Sequence, residues 1–181
     1  MARFPKPYAD IVQRLRVPAG FLLLASFGLL ARPTVKSILY GLPVILLGLW
    51  LRGWAAGHLR KNTTLTDSGP YAYSRNPLYL GSLIGALGFA LAGCSWLLAL
   101  IVLGVFCLVY LPVMELEEQH LCGLFAGYSA YAQRVPILIP RPGGATNPQP
   151  FDWAVYTKNQ EWKAALGLLV GVGVLAWKAL Y

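Results

Sequence analysis

The chain has 181 residues, of which 57% are hydrophobic and only 12% charged, against ~25% charged in an ordinary soluble domain. That balance excludes a disordered chain, a collagen-like chain and a typical soluble enzyme, and it points to an all-α integral membrane protein forming a single membrane domain over 1–181. The net charge of +8 is no footprint of a nucleic-acid binder, because the basic residues stand at the ends of apolar runs and not among aromatics on a polar face.

In chain order, 17–31 is uncharged between Arg16 and Arg32, and 37–51 is uncharged between Lys36 and Arg52. Each run is shorter than the ~20 residues of a perpendicular span, but flanking Arg and Lys stems extend it by snorkelling. Arg32-Pro33-Thr34 reads as a tight turn, so the two runs predict a helical hairpin. No charge occurs from Asn76 to Met114, a run of 39 residues that holds two helices broken at Gly93-Cys94-Ser95. A last uncharged run, 164–177, lies between Lys163 and Lys178, with Trp162 and Trp177 at its ends as interfacial anchors, and predicts a C-terminal transmembrane helix over 162–181. The expectation is about five transmembrane helices.

Charge asymmetry orients them. With a cytoplasmic N-terminus, 12 of the 15 basic residues fall inside and only Arg32, Lys36 and Lys178 outside. All seven acids also fall inside, so charged chemistry belongs on the cytoplasmic face. Cys94, Cys107 and Cys122 show no metal-type spacing and read as small buried residues; no metal site is expected. The polar, proline-containing first sixteen residues do not resemble a cleavable signal peptide.

Between 116 and 134, Leu121, Leu124, Phe125, Tyr128 and Tyr131 recur at three- and four-residue steps, predicting an amphipathic helix that continues the fourth span or lies on the interface. Pro136, Pro140 and Pro142 end it, and 140–160 reads as a cytoplasmic loop. Two polar clusters remain. One is 58–81, with His58, Arg60, Lys61, Asp67, Tyr71, Tyr73, Arg75, Asn76 and Tyr79; the other is Glu115-Leu116-Glu117-Glu118-Gln119-His120. Both sit at inner helix ends, where they are free to converge on one pocket.

Leu65, then Ser68-Gly69-Pro70-Tyr71-Ala72-Tyr73-Ser74-Arg75-Asn76-Pro77-Leu78-Tyr79-Leu80-Gly81, resembles the first signature of the isoprenylcysteine carboxyl methyltransferase and phospholipid methyltransferase superfamily. Glu117-Glu118, Leu121, Phe125, Tyr128, Tyr131 and Val135-Pro136 resemble its second. Together they cover about 50–140, the expected methyltransferase core. The resemblance implies S-adenosylmethionine in a cytoplasmic pocket roofed by the second signature, leaving S-adenosylhomocysteine as product. By motif position, cofactor contacts fall on Thr63, Thr64, Leu65, Thr66, Tyr71, Asn76, Pro77, Leu78, Tyr79 and Glu117, and catalytic roles on Arg75, Glu118 and His120. Those residue types suit such a ligand, with apolar and aromatic walls for an adenine, carboxylates for hydroxyls and an ammonium, and a helix start at Pro77 for a carboxylate.

This chain departs from the prenylcysteine pattern in several places. Asn76 and Thr63 stand where those enzymes carry His, Val113 stands where they carry an Arg for the substrate carboxylate, and Ala126 intervenes before Gly127. The implied reaction is methyl transfer to a membrane-partitioned lipid amine, thiol or prenylated carboxylate. The alternative is a small helical transporter or a non-catalytic membrane protein. A transporter predicts ionisable residues in mid-span, whereas here the acids cluster at one interface.

Overall fold

The computed structural model describes residues 6–180; Arg3, counted in the charge asymmetry, and Tyr181, in the last expected helix, lie outside the described residues. Among these the regular structure is entirely helical. Helix α1 (Lys6–Leu30) leads through Ala31–Thr34 into α2 (Val35–Ala56). Thr34 caps α2 with a reciprocal capping box: its hydroxyl accepts from the Ser37 N–H at 3.0 Å, and the Ser37 hydroxyl accepts from the Thr34 N–H at 2.9 Å. A polar segment with one 3₁₀ turn (Gly69–Ala72) precedes α3 (Pro77–Ala92). Pro77 sits at the first turn, where its missing N–H costs nothing.

The predicted break at 93–95 is present. Cys94 adopts φ +49° and Ser95 caps α4 (Trp96–Val105). Helix α4 runs through a π-helical turn, Phe106–Tyr110, into α5 (Leu111–Leu124). Pro112 accounts for this wide turn, since it lacks the N–H that would meet the Leu108 carbonyl in α-helical register. The Tyr8 hydroxyl of α1 donates to that carbonyl instead, at 2.7 Å. Then come α6 (Tyr128–Arg134), α7 (Trp153–Lys158) and α8 (Trp162–Leu180).

Among the described residues, three helices are long and apolar enough to cross a membrane: Val35–Ala56, the continuous Trp96–Leu124, and Trp162–Leu180. Two of the five expected spans are shorter apolar helices, Val17–Leu30 and Pro77–Ala92. The 16 residues of α3 reach about 24 Å, short of a ~30 Å hydrocarbon core. Exposed apolar side chains such as Leu22, Leu29, Leu100 and Val170 give the helices a lipid-compatible exterior.

Four readings of the sequence are corrected. The first two helices do not pack as a hairpin: α1 lies along α4, the π turn and α5, while α2 packs on α3 and α8. The amphipathic stretch 116–134 is two helices, because Phe125 is extended (φ −124°, ψ 113°) and Gly127 caps α6. A helix, α7, occupies part of the stretch read as loop, nucleated by Asp152, whose carboxylate accepts from the N–H groups of Ala154 and Val155. The three cysteines are exposed free thiols rather than buried residues, since on a membrane protein an apolar face can point outward to lipid.

The reason α2 leaves α1 for α3 is backbone proximity. Gly48 meets the Gly85 nitrogen and the Gly81 carbonyl so closely that a Cβ there would lie 2.5 and 2.6 Å from them. Gly41 likewise abuts Gly88 and Ala92, and a Cβ on Gly88 would reach the Ile45 nitrogen at 2.7 Å. Such small-residue faces are how membrane helices gain dispersion contact without a hydrophobic drive between them. At the same interface Arg52 binds Glu161 near the start of α8 through Nε at 2.5 Å, and its Nη1 donates to the Ser82 hydroxyl and, at 3.3 Å, to the Leu78 carbonyl. We expect Gly48→Ala to lower thermal stability in detergent by about 1–3 kcal/mol. Gly104→Ala, where nothing lies within 4 Å of a new Cβ, should leave it unchanged or raise it slightly. Thermal midpoints of the two variants check this.

Candidate active site

The loop 57–76 is shaped by residues that hold its turn. Gly69 has φ +58°, and a Cβ there would press 2.6 Å from the His58 ring, so only glycine suits the position. His58 is buried; its Nδ1 lies 2.9 Å from the Trp54 carbonyl, and its ring meets Trp54 and Phe151 edge-to-face. The segment 141–152 straps over this loop. Arg141 and Gly143 donate to the carbonyls of Tyr73 and Ala72, at 2.9 and 3.0 Å, and Asp152 donates its N–H to the Gly57 carbonyl at 3.0 Å. Buried Asp67 accepts from the Thr146 N–H at 2.8 Å and from the Thr146 hydroxyl.

The two polar clusters meet. The Arg75 N–H donates to the Pro136 carbonyl at 2.9 Å, and its guanidinium donates to the Ala132 carbonyl at 3.2 Å and pairs with Glu118 at 3.0 Å. Asn76 donates to the Ile137 carbonyl at 3.1 Å and to Glu118 at 3.4 Å. The Tyr131 hydroxyl donates to the Tyr71 carbonyl, and the Tyr79 hydroxyl to Glu117, both at 2.8 Å. The contacts of Arg75 and Asn76 with Glu118, and of Tyr79 with Glu117, join the two clusters; the others tie the first cluster to α6 and the segment after it.

Between them lies a cavity of about 720 Å³, within the ~300–1,000 Å³ of typical ligand pockets. Seven residues singled out from sequence line it: Thr64, Leu65, Thr66, Tyr71, Arg75, Glu117 and His120. The others take different places. Thr63 lines an adjacent cavity. Glu118 turns to Arg75 and Asn76, and Asn76 to Ile137. Pro77 is buried at the α3 start, the Leu78 carbonyl accepts from Arg52, and Tyr79 acts behind Glu117.

Several walls were given no cofactor contact or catalytic role from sequence, although the second signature that roofs the pocket includes four of them. Leu121, Phe125, Tyr128 and Tyr131 line the cavity; their three- and four-residue spacing was the available signal. Leu59, Asn62 and Leu116 are chain neighbours of residues already singled out. Gln13 of α1 also lines it, and no local pattern marks it. Burial pushes the phenols of Tyr71, Tyr128 and Tyr131 well above their ordinary range.

The lining combines apolar and aromatic walls with one carboxylate, the cations Arg60, Lys61 and Arg75, and hydroxyl and amide donors, a set able to hold a ligand with both apolar and ionic parts. A family model described as phospholipid methyltransferase matches residues 37–127, half of the chain, with the whole first signature and the second as far as Gly127. The chain belongs to the phospholipid methyltransferase family. That family lies within the isoprenylcysteine carboxyl methyltransferase-like membrane methyltransferases. Two curated relatives are similar over 93 residues each. The cobalt-zinc-cadmium resistance protein CzcN of Cupriavidus metallidurans is 37% identical, over 51% of this chain and 42% of its own length. The nickel-cobalt-cadmium resistance protein NccN of Alcaligenes xylosoxydans xylosoxydans is 36% identical, over 51% and 43%. The match thus spans less than half of each relative. No solved structure matches. Among the described residues, no group of three or more His, Cys, Asp or Glu is placed to hold a metal ion.

Arg75 and Glu118 are mostly buried, their side chains 14% and 17% exposed, so each neutralises the other where water is scarce. Glu118→Gln and Arg75→Gln should each destabilise the protein by leaving a lone charge. The double variant should lose about 1–3 kcal/mol less than the sum of the singles. Thermal unfolding of the three variants checks the coupling; strict additivity would mean the pair is not one unit.

Proposed function

We propose that this protein is an S-adenosylmethionine-dependent methyltransferase of a membrane, acting on a lipid or other hydrophobic acceptor, with its N-terminus and cavity on the cytoplasmic side and its core over about 50–140. The observation that carries this reading is the 720 Å³ cavity walled by both signatures at once. The orientation rests on the 12 basic residues that it places inside.

When bound, S-adenosylmethionine supplies a methyl group activated by a sulfonium. Leu65, Tyr71 and Phe125 are the apolar and aromatic surface for its adenine. Glu117, steadied by the Tyr79 hydroxyl at 2.8 Å, accepts hydrogen bonds from ribose hydroxyls or the ammonium. Thr64 and Asn62 are donors for the carboxylate.

What the chain itself contributes is alignment of the acceptor and exclusion of water, the effects that dominate a group transfer needing little covalent help. Arg75 offers a planar cation to an anionic group of the acceptor, and Glu118 holds Arg75 in place. His120, on the cavity wall, takes the proton from an ammonium acceptor before transfer. The relatives' names concern metal resistance; in this chain we read the matched region as a methyltransferase core.

Calorimetry should detect S-adenosylmethionine or S-adenosylhomocysteine binding to detergent-purified protein, and no binding at millimolar ligand would refute the reading. Glu117→Gln should weaken that affinity roughly ten- to a hundredfold, the loss of one charged hydrogen bond. Arg75→Lys, which keeps a cation for Glu118 but loses the planar fork, should lose most methyl transfer to a lipid extract while cofactor affinity stays near wild type. Full activity in Arg75→Lys would reduce Arg75 to the counter-charge of Glu118.

A further inference from the structure

A second cavity, about 410 Å³, lies behind the main one and shares Leu59, Arg60 and Lys61 with it. Its far wall is the α7–α8 junction, with Val155, Lys158, Asn159 and Gln160. Three of the described lining residues are cations, Arg60, Lys61 and Lys158, and none is acidic. Just outside the lining, Asp152 approaches Arg60 at 3.6 Å and offsets part of one charge.

The wall is built rather than incidental. The Asn159 amide donates to the carbonyls of Ala56 and Leu59, at 2.8 and 2.9 Å, pinning α7 against the end of α2. Gln160 is held at φ +56°, a left-handed turn between α7 and α8 that a non-glycine residue adopts at some cost. Exposed Trp153 and Trp162, with Lys163 over the Trp162 ring at 5.8 Å, mark this junction as the level of the headgroups. Leu59 and Val155 add an apolar edge to the cationic one.

We propose that this cavity binds the phosphodiester headgroup of an anionic phospholipid, as a site separate from the one that holds the methyl acceptor. Cations alone would serve any phosphate. The apolar edge and the interfacial tryptophans select a headgroup that arrives with its acyl chains in the bilayer. Because Arg60 and Lys61 also line the main cavity, an occupant here steadies the loop that forms its rim. The inference rests on the orientation proposed above only in facing this side toward a membrane surface; its binding chemistry is independent of methyl transfer.

The test is titration of detergent-purified protein with dihexanoyl-phosphatidylglycerol, dihexanoyl-phosphatidylcholine or inorganic phosphate, followed by calorimetry and thermal shift. The phosphatidylglycerol should bind more tightly than either of the others. Lys158→Gln should weaken it about fivefold with an unchanged thermal midpoint, and Lys36→Gln, at the opposite end of α2, should not. Equal affinity of wild type and Lys158→Gln would overturn the site, and inorganic phosphate binding as tightly as the lipid would overturn its assignment to a lipid. S-adenosylmethionine binding is measured in parallel: protein that binds the anionic lipid but not the cofactor upholds this inference and refutes the methyltransferase reading.

Discussion

The interaction on which the site depends is the hold that Arg75 keeps on the second polar segment. Its N–H reaches Pro136, and its guanidinium reaches Ala132 and Glu118. A charge this secluded is tolerable only with a partner and hydrogen bonds, so the fold must bring α5 and the segment after α6 to the start of α3. Once they meet, Asn76 reaches Ile137 and Glu118, Tyr79 reaches Glu117, and Tyr131 reaches Tyr71. The cavity is the space that these contacts leave between two segments which are otherwise far apart in the chain.

Beneath that junction, the apolar helices serve as a mount. Glycines bring α2 and α3 to backbone contact, which sets the height of Pro77 and of the loop before it. Arg52 then ties the first turns of α3 to the start of α8 through Leu78, Ser82 and Glu161. The C-terminal helix is therefore coupled to the cavity although it lines none of it. The strap 141–152 closes the same loop from outside, through Asp67 and the slot that Phe151 fills beside Gly57.

Two kinds of surface thus share one loop. Residues 59–61 line the main cavity on one side and the cationic cavity on the other. One cavity is walled by both signatures, and the other is lined by three cations and no acid. Most of the first lies within the matched residues 37–127, whereas the far wall of the second comes from α7 and the α7–α8 turn, outside them.

Much was legible without coordinates. Uncharged runs between basic residues located the apolar helices, Gly93-Cys94-Ser95 located their break, and the two signatures located most of the cavity wall, because hydropathy, turn chemistry and motif spacing are local properties. Tertiary structure decided what is not local. Gln13 reaches the cavity from a helix with no motif, and Glu118 faces Arg75 while its neighbour Glu117 faces the cavity, a difference of one step around a helix. Pro112 opens a π turn in which the Leu108 carbonyl is met by Tyr8, 100 positions earlier in the chain. The split at Phe125–Gly127 and the exposure of the cysteines were likewise beyond periodicity, since a membrane chain turns apolar faces both inward and out.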